Sequence, residues 1–567
     1  MSDKKKPAMC PMTAWYDPGQ LARTGVDVAV STIFGKHADY RITEALVGPS
    51  QDDDVFDDDS TGVPVDEDGI HDYSQRDQIW IDYVADTGDG WDSTYSVAYH
   101  VGQPQLDLPG VDGPIPRGDV LVFGGDQVYP VANRQSYRER LVEPYEAALP
   151  ETPPLTSPHA FAVPGNHDWY DSLVSFTRLF CNRRWFGGWK TRQSRSYFAL
   201  KLPHRWWLVG VDVQLDSDVD IPQVKFFKRI ARKMGKDDRI ILCTAEPHWI
   251  FAKIYKTLDP EINENNLAFL EKKIFCNQQI ATYLSGDLHH YRRHATEGGQ
   301  QKITAGGGGA FLHPTHGEDV EELDGGYRLR KAFPPPNESK KLTWKNLGFL
   351  FLNPKFGVLT AFLYTLTCWA VMAPVHRFGL RQIWPAIKTS LSTSIANPIA
   401  VFWILLVFGG FLFFTDSHSK RFARVAGPIH GLAHVLCTFF VGWGATYFSA
   451  RCLGLPFKRP PQLLLAGGII FVLGWIVGSF VMGIYLAISL NWFGRHSNEA
   501  FSALACPDWK NFLRLKIDGS GKLTIFPIGI RKVARKWKPS GSTNGPTYVP
   551  NDSRATAPEL IEPPIAV

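Results

Sequence analysis

The sequence predicts a layered α/β sandwich, then four membrane-crossing helices, then a short β-hairpin. Three observations predict this. Between Gln78 and about Thr304, short apolar runs of strand length alternate with amphipathic stretches of helix length. Residues 356–490 hold four long apolar spans free of Asp, Glu, Lys and Arg. Beyond them, Asn511–Asp518 and Lys522–Ile528 are β-patterned runs joined by Gly519-Ser520-Gly521.

Composition sets the frame. The chain has 567 residues, with 60 basic and 56 acidic side chains and a net charge of +4. That balance excludes the basic excess expected of a nucleic-acid binder. The eight cysteines occur singly and form no Cys-x-x-Cys pair, which argues against a zinc ribbon or a disulfide framework. Met1-Ser-Asp-Lys-Lys-Lys is followed by no apolar run, so no cleavable signal peptide is expected.

In chain order, residues 1–77 read as an N-terminal extension packing on the catalytic domain. Asp17-Pro18-Gly19 opens a helix running to about Phe34, and Gln51–Gly69 is an acidic, turn-rich solvated loop. The sandwich occupies 78–332. Its strands are Ile79–Ala85, Val120–Phe123, Ala160–Val163, Ser196–Leu202, Arg205–Val213, Arg239–Thr244, Gln279–Leu284 and Lys302–Thr304. Helices are expected over Trp169–Cys181, over Pro222–Met234 with Asp220 as cap, and over Glu264–Ile274 with Asn263 as cap. Alternation of this kind, with a hairpin at Pro203-His204, gives a layered sandwich.

Residues 333–355, opened by Pro334-Pro335-Pro336, are a linker. The spans are Phe356–Val375, Ile395–Phe414, Ile429–Ala450 and Leu463–Leu490. Each meets the roughly 20 helical residues that a hydrocarbon core of ~30 Å requires. His430 and His434, at the start of the third span, read as interfacial histidines. Residues 491–538 form the segment with the hairpin. Residues 539–567, rich in Pro, Ser, Thr and Asn, are expected to be disordered.

The chemistry lies at the strand ends. Ile79–Ala85 runs into Asp86-Thr87-Gly88, and Val120–Phe123 into Gly124-Gly125-Asp126-Gln127-Val128-Tyr129. Ala160–Val163 runs into Gly165-Asn166-His167-Asp168, Arg239–Thr244 into a lone His248, and Gln279–Leu284 into Gly286-Asp287-Leu288-His289-His290. Open α/β sheets place ligands at the carboxyl ends of strands. Asp86, Asp126, Tyr129, Asn166, His248, Asp287 and His289 form a mixed oxygen and nitrogen set suited to two first-row metal ions. Two such ions clamp a phosphoryl group and generate hydroxide from water near neutral pH. Asp126 is the expected bridge.

In that order, Asp-x-Gly, Gly-Asp-x-x-Tyr, Gly-Asn-His-Asp, a lone His and Gly-x-x-His resemble the calcineurin-like metallophosphoesterase superfamily, and the first two motifs resemble its purple acid phosphatase branch. The likeness covers residues 79–316 and implies an αββα-type sandwich. It implies that Asp86, Tyr129 and His289 hold one metal, that Asn166, His248 and Asp287 hold the other, and that Asp126 bridges. His167 would stabilise or protonate the leaving oxygen without binding metal, with Asp168 orienting it.

Two departures matter. Asp287 stands where the superfamily usually has His, which favours manganese, iron or magnesium over zinc and leaves His290 as a competing ligand. Gly88 stands where many members carry His, and Tyr129 would compensate. For Asp86 the rivals are Asp82 and Asp89. Arg195, Arg292 and His313 are the candidate substrate contacts, and His316 is a further loop histidine.

The expected function is therefore a membrane-anchored, two-metal phosphoesterase. It would act on a phosphate ester or pyrophosphate, with a lipid-linked phosphate an attractive substrate. The alternative is a membrane protein whose degenerate phosphoesterase domain binds or regulates. Twelve Lys and Arg flank the spans on the side of the sandwich and six on the other, so the positive-inside bias places the catalytic domain in the cytoplasm.

Overall fold

A computed structural model describes residues 6–30, 62–213, 219–255, 264–375, 379–415, 419–542 and 545–567. Most of the acidic loop, the end of the first helix and the Asn263 cap lie outside the described residues. The chain divides into two compact units. One takes in the described parts of Met1–Thr13, Arg23–Pro336 and Ala505–Val567; the other takes in Ala14–Ala22 and the described parts of Asn337–Leu504. The N-terminal extension is thus shared between them, and the chain leaves the first unit at Pro336 to re-enter it at Ala505.

The first unit is built on two nine-stranded sheets. The first sheet has at its centre β1 (Ile79–Val84), β2 (Val120–Gly124) and β3 (His159–Val163), paired in parallel. The second contains β4 (Phe198–Lys201), β5 (Trp206–Gly210), β6 (Arg239–Cys243), β7 (Gln279–Ser285), β8 (Tyr291–Ala295), β9 (Gln301–Ala305) and β10 (Tyr327–Phe333). Its β5, β6, β7 and β9 run parallel, and β8 and β10 extend it antiparallel. β8 and β10 escape the sequence reading because Arg292, Arg293, Arg328 and Arg330 mask any apolar run.

Side-chain alternation explains the layering. Ile79, Ile81 and Tyr83 of β1 pack with Val120, Val122, Leu208, Ile241 and Ile303 in a core between the sheets. The opposite face of the first sheet, with Val84, Leu121 and Phe123, packs on helix α1 (Trp91–Gly102). The outer face of the second sheet, with Val209, Ile240 and Leu242, packs on α2 (Ile221–Lys233) through Phe226, Phe227 and Ile230. Asp220 caps α2 by accepting from the Gln223 amide at 3.0 Å. The stretch 169–181 is not one helix: Ser172 and Leu173 adopt positive φ and split it.

Lys510–Ile517 (β11) pairs antiparallel with β1, and Leu523–Ile530 (β12) pairs with β11, so the two strands continue the first sheet. Phe512, Leu513, Leu515, Ile517, Leu523, Ile525 and Ile528 are buried there. Their burial contributes on the order of 10 kcal/mol, counted against an extended chain. Arg514 forks onto Asp82 of β1 at 2.6 and 3.1 Å, with both side chains buried.

The C-terminal tail departs from its expected disorder. Tyr548–Pro550 pairs with Trp537–Pro539, and Glu559–Leu560 and Ile565–Ala566 both pair with β12. Ile561 and Ile565 enter the inter-sheet core, and Glu562 pairs with Arg293 at 2.5 Å. Two isoleucines at the right spacing outweigh a composition that reads as unstructured. The linker also departs: Pro336–Thr343 is helical, with its proline in the first turn, where the missing N–H costs nothing.

In the second unit, three helices among the described residues are long and apolar enough to cross a membrane: α3 (Pro354–Met372), α6 (Lys420–Tyr447, continuing to Cys452) and α7 (Pro460–Phe493). The second expected span is not a single helix. α4 (Ile383–Ala396) and α5 (Pro398–Phe413) meet at a bend of 103°. Asn397 caps the Ile399 amide at 3.1 Å and Pro398 has no N–H, so the hydrogen-bond ladder breaks between them. His430 and His434 are not at a helix start either. α6 begins at Lys420, and both imidazoles are buried, one stacked on Tyr485 and the other on Phe411.

Candidate metal centre

The ligand loops interlock through their backbones. The Asp86 and Thr87 amides donate to the Gly125 and Asp126 carbonyls, each at 3.0 Å, and the Gly286 amide donates to the Ala245 carbonyl at 2.9 Å. Ala310 closes the ring by donating to the Asp86 carbonyl at 2.9 Å. Each of Asp86, Asp126 and Asp287 leaves its strand in the left-handed region, with φ of 57°, 48° and 66°. Aspartate tolerates this region better than most residues, yet three instances at one focus are the signature of a functional constraint.

The Gly-Asn-His-Asp loop must pass close to Asp126. A Cβ on Gly165 would lie 2.0 Å from Asp126 Oδ1, so only glycine fits. Gly88 is fixed equally firmly. Its φ is +48° and an added Cβ would lie 2.1 Å from the Gln127 carbonyl oxygen. This backbone therefore has no room for the histidine that the superfamily often places at Gly88, and the Tyr129 phenol supplies a polar group to the cluster.

The Tyr129 hydroxyl lies 3.1 Å from Asp86 Oδ1, 3.2 Å from Asp126 Oδ2 and 2.9 Å from His289 Nε2. One phenolic proton faces three acceptors. His289 donates its Nδ1–H to the Phe311 carbonyl at 2.8 Å, which fixes the tautomer and turns the Nε2 lone pair into the cluster. Asp86 Oδ2, Asn166 Oδ1 and His248 Nδ1 are buried with no hydrogen-bond partner. The His248 ring is 4.0 Å from Glu246 Oε2 and makes no hydrogen bond to the other six residues.

Burial raises the pKa of all three carboxyl groups. It pushes Asp126 and Asp287 up to about 7, the latter helped by the charge of Asp126, and moves Asp86 well above the usual carboxylate range. Three buried carboxyl groups that raise one another's proton affinity are the setting in which a bound cation restores the ionised forms. The oxygen donors, the inward imidazole nitrogen and the unsatisfied buried atoms fit hard to borderline divalent or trivalent ions. Among the described residues, no group of three or more His, Cys, Asp or Glu side chains is placed to hold a metal ion by itself. The cluster includes a tyrosine and an asparagine.

The rivals of Asp86 are engaged elsewhere: Asp82 with Arg514, and Asp89 with the Thr13 and Phe311 amides at 2.8 and 3.2 Å. His290 is buried but is not bonded to Tyr129. His313 stacks on His289 with ring centroids 3.8 Å apart, so the loop after the four glycines reaches the site.

Three expected roles change. Asp168 does not orient His167. It accepts from the Gly165 amide at 2.9 Å, from the Gln127 amide at 3.2 Å and from the Tyr137 hydroxyl at 2.6 Å, and so pins two ligand loops together. The His167 ring is oriented by the Pro130 carbonyl, 2.6 Å from Nδ1. Arg195 lies over the Tyr197 and Phe226 rings, each at 5.8 Å, so its cation is spent on aromatic packing. Arg292 is buried in β8 and tied to Glu318 at 3.3 Å instead of facing a substrate. Lys510, read in the sequence only as one of the basic residues flanking the spans, is fully buried and donates to the Ala310 carbonyl. Burial lowers its pKa to about 8.

Residues 79–291 match the calcineurin-like phosphoesterase family model. Solved structures similar to part of this chain include GAP50, the anchor in the inner membrane complex of Plasmodium, at 14% identity over 44% of this chain and 76% of that one, with a TM-score of 0.31. Purple acid phosphatase PPD1 from yellow lupin (Lupinus luteus) seeds is similar at 14% identity over 43% and 47%, with a TM-score of 0.30. PhoD is similar at 10% identity over 41% and 58%, with a TM-score of 0.26. No curated protein matches the chain.

Proposed function

We propose that this protein is a membrane-anchored, two-metal phosphoesterase that hydrolyses a phosphate ester or pyrophosphate. The observation that carries the reading is the buried meeting of Asp86, Asp126 and the His289 Nε2 lone pair at the Tyr129 hydroxyl, with the Asp287 amide on Asp86 Oδ1 at 3.0 Å. Asp86, Tyr129 and His289 would hold one ion, Asn166, His248 and Asp287 the other, and Asp126 both. Carboxylate at Asp287 favours manganese or iron, with magnesium or zinc as substitutes. When bound, the ions neutralise phosphoryl oxygens and supply a nucleophile near neutral pH.

The chain's own groups do the rest. Asp168 holds the Gly165 and Gln127 amides, and so keeps Asn166 and Asp126 in register. His167 sits between them, its amide on Asp126 Oδ1 at 2.9 Å. Burial lowers its pKa to about 4, so the ring is neutral with Nδ1–H committed to Pro130. Nε2 is then the proton-exchanging atom, and an anionic phosphoester beside it raises the ring's proton affinity before the leaving oxygen is protonated.

The membrane helices support anchoring, and a lipid-linked phosphate is the substrate class they bring within reach. Because Arg23–Pro336 and Ala505–Val567 share one compact unit, the intervening segment crosses an even number of times. Three long helices alone would give an odd count, which supports reading the bent pair α4–α5 as a fourth crossing. The excess of basic residues flanking the spans on its side supports a cytoplasmic phosphoesterase domain.

Turnover of a chromogenic phosphodiester by the purified protein, stimulated by added manganese and abolished by Asp126→Asn, tests the activity. Silence under every metal condition would leave a binding domain in its place.

A further inference from the structure

The peptide Ala310–Leu312 is where three parts of the first unit meet. The Phe311 carbonyl accepts the Nδ1–H of His289 at 2.8 Å. The same peptide is clamped on every side. The Ala310 amide donates to the Asp86 carbonyl at 2.9 Å, and the Phe311 amide to Asp89 Oδ2 at 3.2 Å. The Leu312 amide donates to the Cys506 carbonyl at 2.9 Å, and the Ala310 carbonyl accepts from Lys510 Nζ. One residue on, the Asn511 amide donates to the Gly307 carbonyl at 3.0 Å, which sets the register of β11 against the glycine loop.

Lys510 is the odd member. Its side chain is fully buried, and the Ala310 carbonyl is its hydrogen-bond acceptor. Packing alone does not call for an ammonium there, since a methionine fills a similar volume without the desolvation cost. What the ammonium adds is a strong, charge-assisted grip on one carbonyl. That carbonyl belongs to the residue preceding the one that fixes the His289 tautomer.

We propose that Lys510 is a positioning residue of the metal centre. It holds Ala310–Leu312 so that Phe311 receives Nδ1–H and His289 keeps its Nε2 lone pair on the cluster. The inference rests on the two-metal reading above. It adds that a strand encoded after the membrane helices is part of the ligand-orienting shell.

The test is manganese titration of the purified full-length protein, as wild type, His289→Ala, Lys510→Met and Lys510→Arg. Thermal unfolding and pulsed EPR of the manganese-bound forms accompany it. Outer-shell partners of metal ligands typically change affinity by about 10–100-fold, so Lys510→Met should lose that much for one ion. Its melting temperature should hold or rise, the reverse of what a purely structural lysine gives. The histidine nitrogen coupling that His289→Ala abolishes should weaken in Lys510→Met and return in Lys510→Arg. If Lys510→Met does not fold, Lys510→Gln, whose shorter side chain withdraws the donor from Ala310, is measured with the same two outcomes. Wild type binding two ions, His289→Ala one, and Lys510→Met two at wild-type affinity would overturn the role of Lys510 alone. Wild type binding no manganese would overturn the two-metal reading itself.

Discussion

At the scale of single residues, the proposed two-metal reading separates groups that would hold ions from groups that would act on substrate. Asp126→Asn and Asn166→Ala should strip metal and turnover together. His167→Ala should keep its metal, because the ring gives its Nδ1–H to the Pro130 carbonyl, and should lose rate by about 10²–10⁴-fold, the usual size of general acid–base assistance. Metal content by atomic emission beside initial rates separates the two cases; equal metal loss in all three would refute the division. Asp168→Asn should act as a stability variant. It weakens bonds from three donors to a buried carboxylate and should cost roughly 1–3 kcal/mol in urea unfolding. The ligand types were legible in the sequence because each follows an apolar run. Asp168's true partners were not, because Gly165, Gln127 and Tyr137 meet it only through the fold. The left-handed φ of Asp86, Asp126 and Asp287 was equally hidden, since no residue pattern forces it.

The element that most changes the picture is the strand pair β11–β12. Without it, β1 would be an edge strand, with its ladder groups open beside Asp86. Arg514→Ala leaves Asp82 buried and unpaired, and should cost about 3–5 kcal/mol. Replacing both partners with leucine should recover much of that loss, and a double-mutant cycle by urea unfolding measures it. Truncation after Arg495 removes both strands and should lower the melting temperature of the phosphoesterase domain. Slow amide exchange across 511–528 in the intact protein is expected alongside it. The strands could be read from Phe512, Leu513, Leu515, Ile517 and Ile525, but their partner could not, since pairing joins residues more than 400 positions apart. The break between α4 and α5 was visible as Asn397-Pro398, yet an averaged apolar window passes over it.

At the scale of the whole molecule, a buried histidine beside the tail gives stability a pH dependence. His100 of α1 is buried, with Nε2 3.2 Å from the Thr556 carbonyl. Burial lowers its pKa to about 4, against the opposing Thr556 bond and with a further push from Arg514. The unfolded value is about 6.5, so the unfolded chain takes up the proton first as pH falls. His100 therefore contributes fully above pH 6.5 and loses its contribution between 6.5 and 4, about 3 kcal/mol in all and about 2 kcal/mol by pH 5. Urea midpoints of wild type and His100→Gln at pH 7 and pH 5 check this: the gap between the pH values should shrink in the variant. Impermeant labelling of engineered cysteines in intact cells tests the orientation, and ready labelling of the phosphoesterase domain would overturn its cytoplasmic placement. The shared first unit also imposes an order on biosynthesis. When Pro336 emerges from the ribosome, β1 still lacks the neighbour that ends at Ile517. At roughly 5–20 residues per second, the intervening stretch takes on the order of 10–35 seconds to translate. Throughout that interval the nascent domain carries an unpaired strand while its apolar helices are still being made. On the proposed two-metal reading, maturation of the metal centre would wait on the helices that precede β11, and a chain stalled within them would be metal-poor and prone to pair through β1.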